Sequence, residues 1–361
     1  MPRRTHLVIE NDVFTRVLEI ILDPTCPQEK LDAFADFFAH DAPNFLDFAK
    51  NLRNTCKNLG ECQITYVDSQ EELQAALKNA DVAIIESLSF GRAEIACAPR
   101  LRAVQKYGYI TKNIDLMACS NAQIKVLTLR RRANIACAEQ AMMMILALAK
   151  RLPELNGLTT VKRLESAGFK PKAFDKRYTP SGNWARVSGI TCLYESVIGI
   201  IGMGEIGQEI AKRARAFDMQ VIYTQRTRLD PQTEKDLGLI FHDLDSLLAI
   251  SDWLVPQLPS SPSTENLLDH QAFTKMKKGV RLVNVSRAQC MDRSAVIAAL
   301  KNGILGGFAL DTLWKEPGTD DDELLSFPNV ILTPHMAGSP RWNGLNDFVE
   351  LIEGLDNELG K

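Results

Sequence analysis

The sequence has no CxxC pair, and its eight cysteines (Cys26, Cys56, Cys62, Cys97, Cys119, Cys137, Cys192 and Cys290) are scattered through 361 residues. That spacing argues against a zinc site and against a disulfide framework, and free thiols in a chain this long suit a reducing cytoplasm. A long hydrophobic run is missing too. The longest, AMMMILALA at 141–149, is far short of the roughly 20 apolar residues a membrane span needs. The start, MPRRTHLVIENDVF, has basic residues but no uninterrupted apolar segment after them, so no secretory signal is expected. A strong excess of either charge is missing, and a net charge of −3 gives no general attraction to nucleic acid or to an anionic membrane. Repeats and low-complexity tracts are absent.

What is present is ordinary globular material, 45% hydrophobic and 24% charged, with length enough for two domains. Apolar bursts alternate with helical patterns, which predicts parallel α/β architecture. In the first third, strands are expected near RVLEIIL, CQITYV, DVAIIES, LRAVQKYG and IKVLTL, with QEELQAALKNA as a helix. Residues 28–58 read as a helical insertion without a functional reading. A long apolar helix starts near Asn134, a polar segment follows it, and a second α/β series runs from Ser196 to about Thr333. The closing NGLNDFVELIEGLDNEL is an amphipathic helix. Domain boundaries are expected near 133 and 337, giving 1–133 plus 337–361 and 134–336.

The second series opens on SVIGIIGMGEIGQEIAKRARAFDMQVIYTQ, which reads as strand, tight turn, helix, strand. Gly202, Gly204 and Gly207 fall in G-x-G-x-x-G spacing. The first glycine allows the turn, the second lets backbone approach a pyrophosphate, and the third permits helix–strand packing. The helix N-terminus attracts phosphate charge. The triple glycine alone is a weak signal; its place between a strand and a helix is what makes it a dinucleotide site. The acid that usually holds the adenosine ribose is replaced by Gln225, followed by Arg226 and Arg228. A guanidinium welcomes the 2′-phosphate that an acid repels, so NADP is the expected cofactor, with NAD as the alternative. The opposing reading makes Arg226 and Arg228 a solvated surface pair.

Three later segments, each strand then loop, deliver Arg287, Asp311 with Glu316, and His335. In an open parallel sheet such positions line the ligand crevice. An arginine fork binds a substrate carboxylate and polarises the adjacent carbonyl. A histidine exchanges the hydroxyl proton while hydride passes to or from a nicotinamide, and a carboxylate on its other nitrogen fixes its tautomer and favours its charged form. Taken singly, each has a plainer reading: a salt-bridge arginine, a surface acid before a proline, a capping histidine.

LRAVQKYGYITKNIDL, NIACAEQ, GIIGMGEIGQEIAKRARAF, NVSRAQCMD, GFALDTLWKEP and LTPHMAGS together resemble the D-isomer-specific 2-hydroxyacid dehydrogenases, which include glyoxylate/hydroxypyruvate reductases and phosphoglycerate dehydrogenases. The resemblance covers roughly residues 80–340. It implies a Rossmann dinucleotide-binding domain and a flavodoxin-like substrate domain, both doubly wound, with a cleft between them and a dimeric assembly. It implies catalytic roles for Arg287, Glu316 and His335, and a cofactor contact at the nicotinamide end for Asp311. Glu205, Ile206, Leu258, Pro259, Thr264, Val285, Ser286 and Gly338 complete the implied cofactor set, with His335. Gly108, Tyr109 and Ile110, with Arg287, would hold a small 2-keto or 2-hydroxy acid.

Two departures stand out: Ala288 replaces a common glycine after the arginine, and Ile110 stands where many relatives carry a second glycine. The run Arg130-Arg131-Arg132 is read either as a contact to an acidic substrate or as hinge and solvated surface. A formate dehydrogenase is the same-scaffold rival, disfavoured because Glu316 stands where that enzyme pairs its histidine with glutamine. A dinucleotide-sensing protein like the related corepressors is the rival from another class.

Overall fold

The computed structural model describes residues 3–361. They divide into two compact units, one running to Ala136 and resuming at Gly338–Lys361, the other spanning Cys137–Ala337. Among the described residues no helix is long and apolar enough to cross a membrane.

The first unit is built on a parallel sheet of β1 (Thr5–Glu10), β2 (Cys62–Val67), β3 (Val82–Ile85), β4 (Ala103–Lys106) and β5 (Lys125–Leu127), ordered β2-β1-β3-β4-β5. This is the flavodoxin-like winding. β1 is central, pairing with β2 on one side and β3 on the other. Its middle residues Leu7, Val8 and Ile9 are fully buried, as a parallel strand covered on both faces requires.

The strand expected at RVLEIIL is instead a helix, Val17–Leu22, and the first strand is THLVIE. All but one of that helix's six residues are buried, so no alternation survives to distinguish it from a strand. What decides it is the preceding turn. Asp12 accepts from the Phe14 N–H at 2.8 Å, and Thr15 donates to the Asp12 carbonyl at 3.0 Å, winding the chain before Val17 arrives.

The insertion forms two helices, Gln28–Phe38 and Phe45–Thr55, carrying a phenylalanine cluster in which Phe38 and Phe45 stack at 4.4 Å. It clasps the closing helix, Trp342–Leu359, at both ends. Asp41 accepts from the Arg341 and Trp342 N–H groups, and Asp356 accepts from the Lys57, Asn58 and Leu59 amides. From that helix Leu345, Phe348, Leu351, Ile352, Leu355 and Leu359 fill the same core as β1.

The second unit carries a seven-stranded parallel sheet ordered β12-β11-β10-β9-β6-β7-β8. Its strands are β6 (Val197–Ile201), β7 (Gln220–Thr224), β8 (Leu239–Phe241), β9 (Trp253–Pro256), β10 (Val280–Asn284), β11 (Leu305–Leu310) and β12 (Val330–Leu332). The winding reverses between β6 and β9, the Rossmann switch point where such sheets take ligands. Helix Arg132–Ala149 covers one face with Ala141, Ile145 and Leu148, whose partners include Ile198, Ile200 and Val283.

Candidate active site

The glycine loop leaves β6 and enters helix Glu205–Ala216 with Gly204 at its N-cap. Gly202 has φ 98°, and a Cβ there would lie 2.3 Å from the Gln257 carbonyl oxygen. A Cβ on Gly207 would meet the Gly202 carbonyl at 2.5 Å, which is the close helix–strand approach. Gly204 faces open space. Bare backbone beside the first helical turn, whose N–H groups have no intrahelical acceptors, fits a diphosphate. Glu205 and Ile206 belong to that turn.

Gln257 is the residue that sequence reading passed over. It follows β9 directly, and its buried Nε2 has no hydrogen-bond partner among the described residues. An orphaned buried donor is costly unless something polar arrives to meet it. Only the strand order puts it beside Gly202; no local motif marks it.

At the end of β7 the Gln225 Oε1 accepts the Met203 N–H at 3.1 Å, and its Nε2 donates to the Thr227 carbonyl at 2.6 Å. Gln225 therefore latches the glycine loop to the turn after β7. Arg228 is committed elsewhere, with two bonds of 2.8 Å to Glu234, which also accepts from Tyr223 at 2.6 Å. These bonds hold the Glu234 carboxyl down at about 2. Arg226 is exposed and, among the described residues, has no hydrogen bond or ion pair. The two arginines thus differ: Arg228 is structural, and Arg226 is available.

Beyond β9, Leu258 and Pro259 lead into a turn that Thr264 ties together, donating to the Pro259 carbonyl at 2.6 Å. Beyond β10 come Val285, Ser286 and Arg287. Ser286 donates to the Pro256 carbonyl at 3.0 Å, joining this loop to β9. The fully buried Asn284 shapes the loop, donating to the Arg287 carbonyl at 2.9 Å and accepting from the Ser286 amide at 2.8 Å. The Arg287 side chain is exposed and reaches back to the Ser286 carbonyl.

His335 follows β12 with φ 51°, a left-handed backbone that non-glycine residues seldom adopt. Its Nδ1 lies 2.8 Å from Glu316 Oε2, and the other Glu316 oxygen accepts the Leu313 N–H at 2.9 Å. Burial alone would raise the Glu316 carboxyl. The bond from His335, the Leu313 amide and the His335 and Arg287 charges outweigh it and leave the group below the ordinary carboxylate range. Arg287 and His335 therefore both act electrostatically on Glu316.

Asp311, expected at the nicotinamide end, has no exposed surface. Its carboxylate accepts from the Thr333 hydroxyl and from the Met336 and Ala337 amides at 3.0 and 2.9 Å, while its carbonyl takes the His335 N–H at 2.9 Å. It holds the turn that presents His335. Gly338 follows that turn and has open space where a Cβ would stand.

In the first unit, Gly108 (φ 152°), Tyr109 and Ile110 form the loop after β4. Arg131 lies over the Tyr107 ring at 4.0 Å and pairs with Glu86 at 3.4 Å, and Arg132 pairs with Asp347 and Glu350. Tyr107, Glu86, Asp347 and Glu350 all belong to the first unit.

Residues 142–337 match the family model described as D-isomer specific 2-hydroxyacid dehydrogenase, NAD binding domain. A glyoxylate reductase of Thermococcus kodakarensis is 34% identical over 264 residues, 71% of this chain and 72% of its own. A D-3-phosphoglycerate dehydrogenase of Archaeoglobus fulgidus is 31% identical over 313 residues, 83% of this chain and 54% of its own. In fold, a solved protein of Pyrococcus horikoshii is similar over 98% of this chain and 91% of its own, with a TM-score of 0.58 at 24% identity. With more than half its length in the family model, and relatives above 30% identity over more than two thirds of it, the chain belongs to the D-isomer-specific 2-hydroxyacid dehydrogenase family.

Proposed function

We propose that the protein reduces a small 2-keto acid to the corresponding D-2-hydroxy acid, using NADPH in preference to NADH. The observation that carries this reading is the His335–Glu316 pair at 2.8 Å beside Arg287, on loops that leave adjacent parallel strands. Arg287 binds the substrate carboxylate in its planar fork and polarises the neighbouring carbonyl. When bound, the nicotinamide supplies the hydride. His335 donates the proton to the carbonyl oxygen from Nε2, since Nδ1 faces Glu316, and Glu316 stabilises the imidazolium before transfer. A glutamate at this pairing position disfavours formate oxidation, which has no proton to move.

The cofactor set of Gly202, Gly204, Glu205, Ile206, Gly207, Arg226, Leu258, Pro259, Thr264, Val285 and Ser286 is part of the proposal, and Gln257 joins it. The free Arg226 supports NADP. Residues 134–336, with Arg287, are assigned to the dinucleotide and the chemistry, and 1–133 with 337–361, with the Gly108, Tyr109 and Ile110 backbone, to the substrate. A homodimer is proposed from the resemblance, and a reducing, cytoplasmic setting from eight cysteines that are all free.

The test is a panel of glyoxylate, hydroxypyruvate, pyruvate and bulkier 2-keto acids, each with NADPH and NADH, repeated in Arg287→Ala. Loss of one partner of such a charge pair costs about 2–5 kcal/mol, so kcat/KM should fall by two to three orders of magnitude with NADPH affinity retained. Nucleotide-dependent association without turnover on any acid would instead favour the sensor reading.

A further inference from the structure

At the edge of the seven-stranded sheet opposite Arg287 and His335, where β10, β11 and β12 begin, lies a pocket of about 320 Å³. That is the lower end of the size range of small-molecule sites. Arg281 in β10, Asn329 just before β12, Leu148 from the long helix, Pro328 and the Arg151–Glu154 turn line it.

Arg281 is out of place by its surroundings. It is the second residue of a central parallel strand whose other positions are buried and otherwise uncharged. Its guanidinium stands 5.1 Å from the Trp253 ring centroid and, among the described residues, has no hydrogen-bond acceptor. Burial pushes its pKa down, with Asp252 opposing. Asp252 itself is engaged by Lys277 at 2.5 Å and by the Val197 N–H at 2.9 Å. A half-buried guanidinium whose fork has no acceptor is open to an anion that supplies one.

The charge balance selects the ligand. Arg151 is neutralised by Glu154, with Nε 3.0 Å from Oε1 and a second bond between Nη2 and Oε2, and its Nη1 donates to the Ser188 carbonyl. One positive charge is left, on Arg281. We propose that this pocket binds a small monocarboxylate, its two oxygens on the Arg281 fork and its body against Leu148 and Pro328. A dianion such as phosphate calls for a second free cation, which the pocket lacks, whereas a carboxylate matches a single guanidinium in two parallel hydrogen bonds. The site is separate from the proposed active site and does not depend on that assignment.

The probe is para-fluorobenzoate, titrated by fluorine NMR into the full chain, with Arg287→Ala as the background that weakens carboxylate binding at the candidate active site. Saturable binding with a Kd on the order of 1 mM is expected for a ligand this small. Arg281→Met keeps the aliphatic stem against Trp253 and should weaken binding at least ~10-fold. Arg281→Lys, which keeps the charge without the fork, should weaken it less, and it carries the test if thermal melting finds the methionine variant unfolded. Absence of saturable binding in the Arg287→Ala protein, or binding that Arg281 substitution leaves unchanged, overturns the proposal. Displacement of the probe by inorganic phosphate as readily as by isovalerate overturns the assignment to a monocarboxylate.

Discussion

A histidine at φ 51° is held there by its neighbours, and the neighbour that does most is Asp311. Asparagine at this position keeps the shape but offers one acceptor oxygen where the Met336 and Ala337 amides and the Thr333 hydroxyl need both. Leaving a buried donor unpaired costs about 1–3 kcal/mol. Asp311→Asn should therefore lower kcat roughly 10-fold or more while the NADPH dissociation constant, read by fluorescence titration, changes little. A kcat equal to wild type would remove Asp311 from the support of His335. For the pair itself, the bond and charge of His335 hold the Glu316 carboxyl below the ordinary carboxylate range. Glu316→Gln, which takes the carboxylate off His335 Nδ1, should lower reductive kcat roughly 10-fold or more with the NADPH dissociation constant unchanged; a wild-type kcat in both Glu316→Gln and His335→Ala refutes the pairing. At the adenosine end Arg226→Ala should cost NADPH roughly tenfold to a hundredfold in kcat/KM and spare NADH, since hydrogen bonds to charged groups are worth about 1.5–3 kcal/mol. Gln225→Ala should raise KM for both cofactors, because Gln225 anchors the Met203 amide of the glycine loop. A strong native preference for NADH would sink the role given to Arg226.

Among elements, the ties between the 28–58 insertion and the closing helix carry a pH signature. Burial raises the Asp356 carboxyl, but the Leu59, Asn58 and Lys57 amides and the Asn58 side chain pull it below its ordinary value of 3.8. A group whose folded pKa lies below its unfolded value stabilises fully above the unfolded value and loses that contribution as the pH falls through the folded one. Unfolding free energies of wild type and Asp356→Asn from urea titration should differ by about 2 kcal/mol at neutral pH, and the difference should begin to shrink only as the pH falls below about 4. Free energies that stay equally far apart down to about pH 2 would exclude the contribution. How far such elements could be read from sequence varied with how local their cause is. The β6–loop–helix–β7 unit was legible because Gly202, Gly204 and Gly207 share one short motif between a strand and a helix, and Gly207 answers a steric demand a few residues away, the Gly202 carbonyl. Arg287, Glu316 and His335 were legible from their places after strand-like segments and from the resemblance. RVLEIIL was misread because its five apolar side chains are all buried and leave no alternation to read. Gln257, Asn284 and Arg281 escaped notice because their significance depends on which strands become neighbours.

At the scale of the whole chain, the second unit is continuous in sequence and the first is not. Ending the chain after Ala337 takes six apolar side chains out of the first unit's core, each worth about 1.5–3 kcal/mol, which together match or exceed the stability of a typical domain. Hydrogen exchange on such a truncation should show the amides of β1–β5 unprotected and those of β6 and β9–β11 still slow. Protection of β1 at the wild-type level would contradict this division of the core. The same interleaving has a consequence for how the protein is made. Synthesis at roughly 5–20 residues per second delivers the chain from its first residue onwards. The first sheet to leave the ribosome is then the last to be completed, because Leu345 to Leu359 follow every strand of the second unit. Until they emerge, β1 and the insertion helices are nascent chain with an open apolar face, and a chaperone that shields such faces would find its target in the part made earliest.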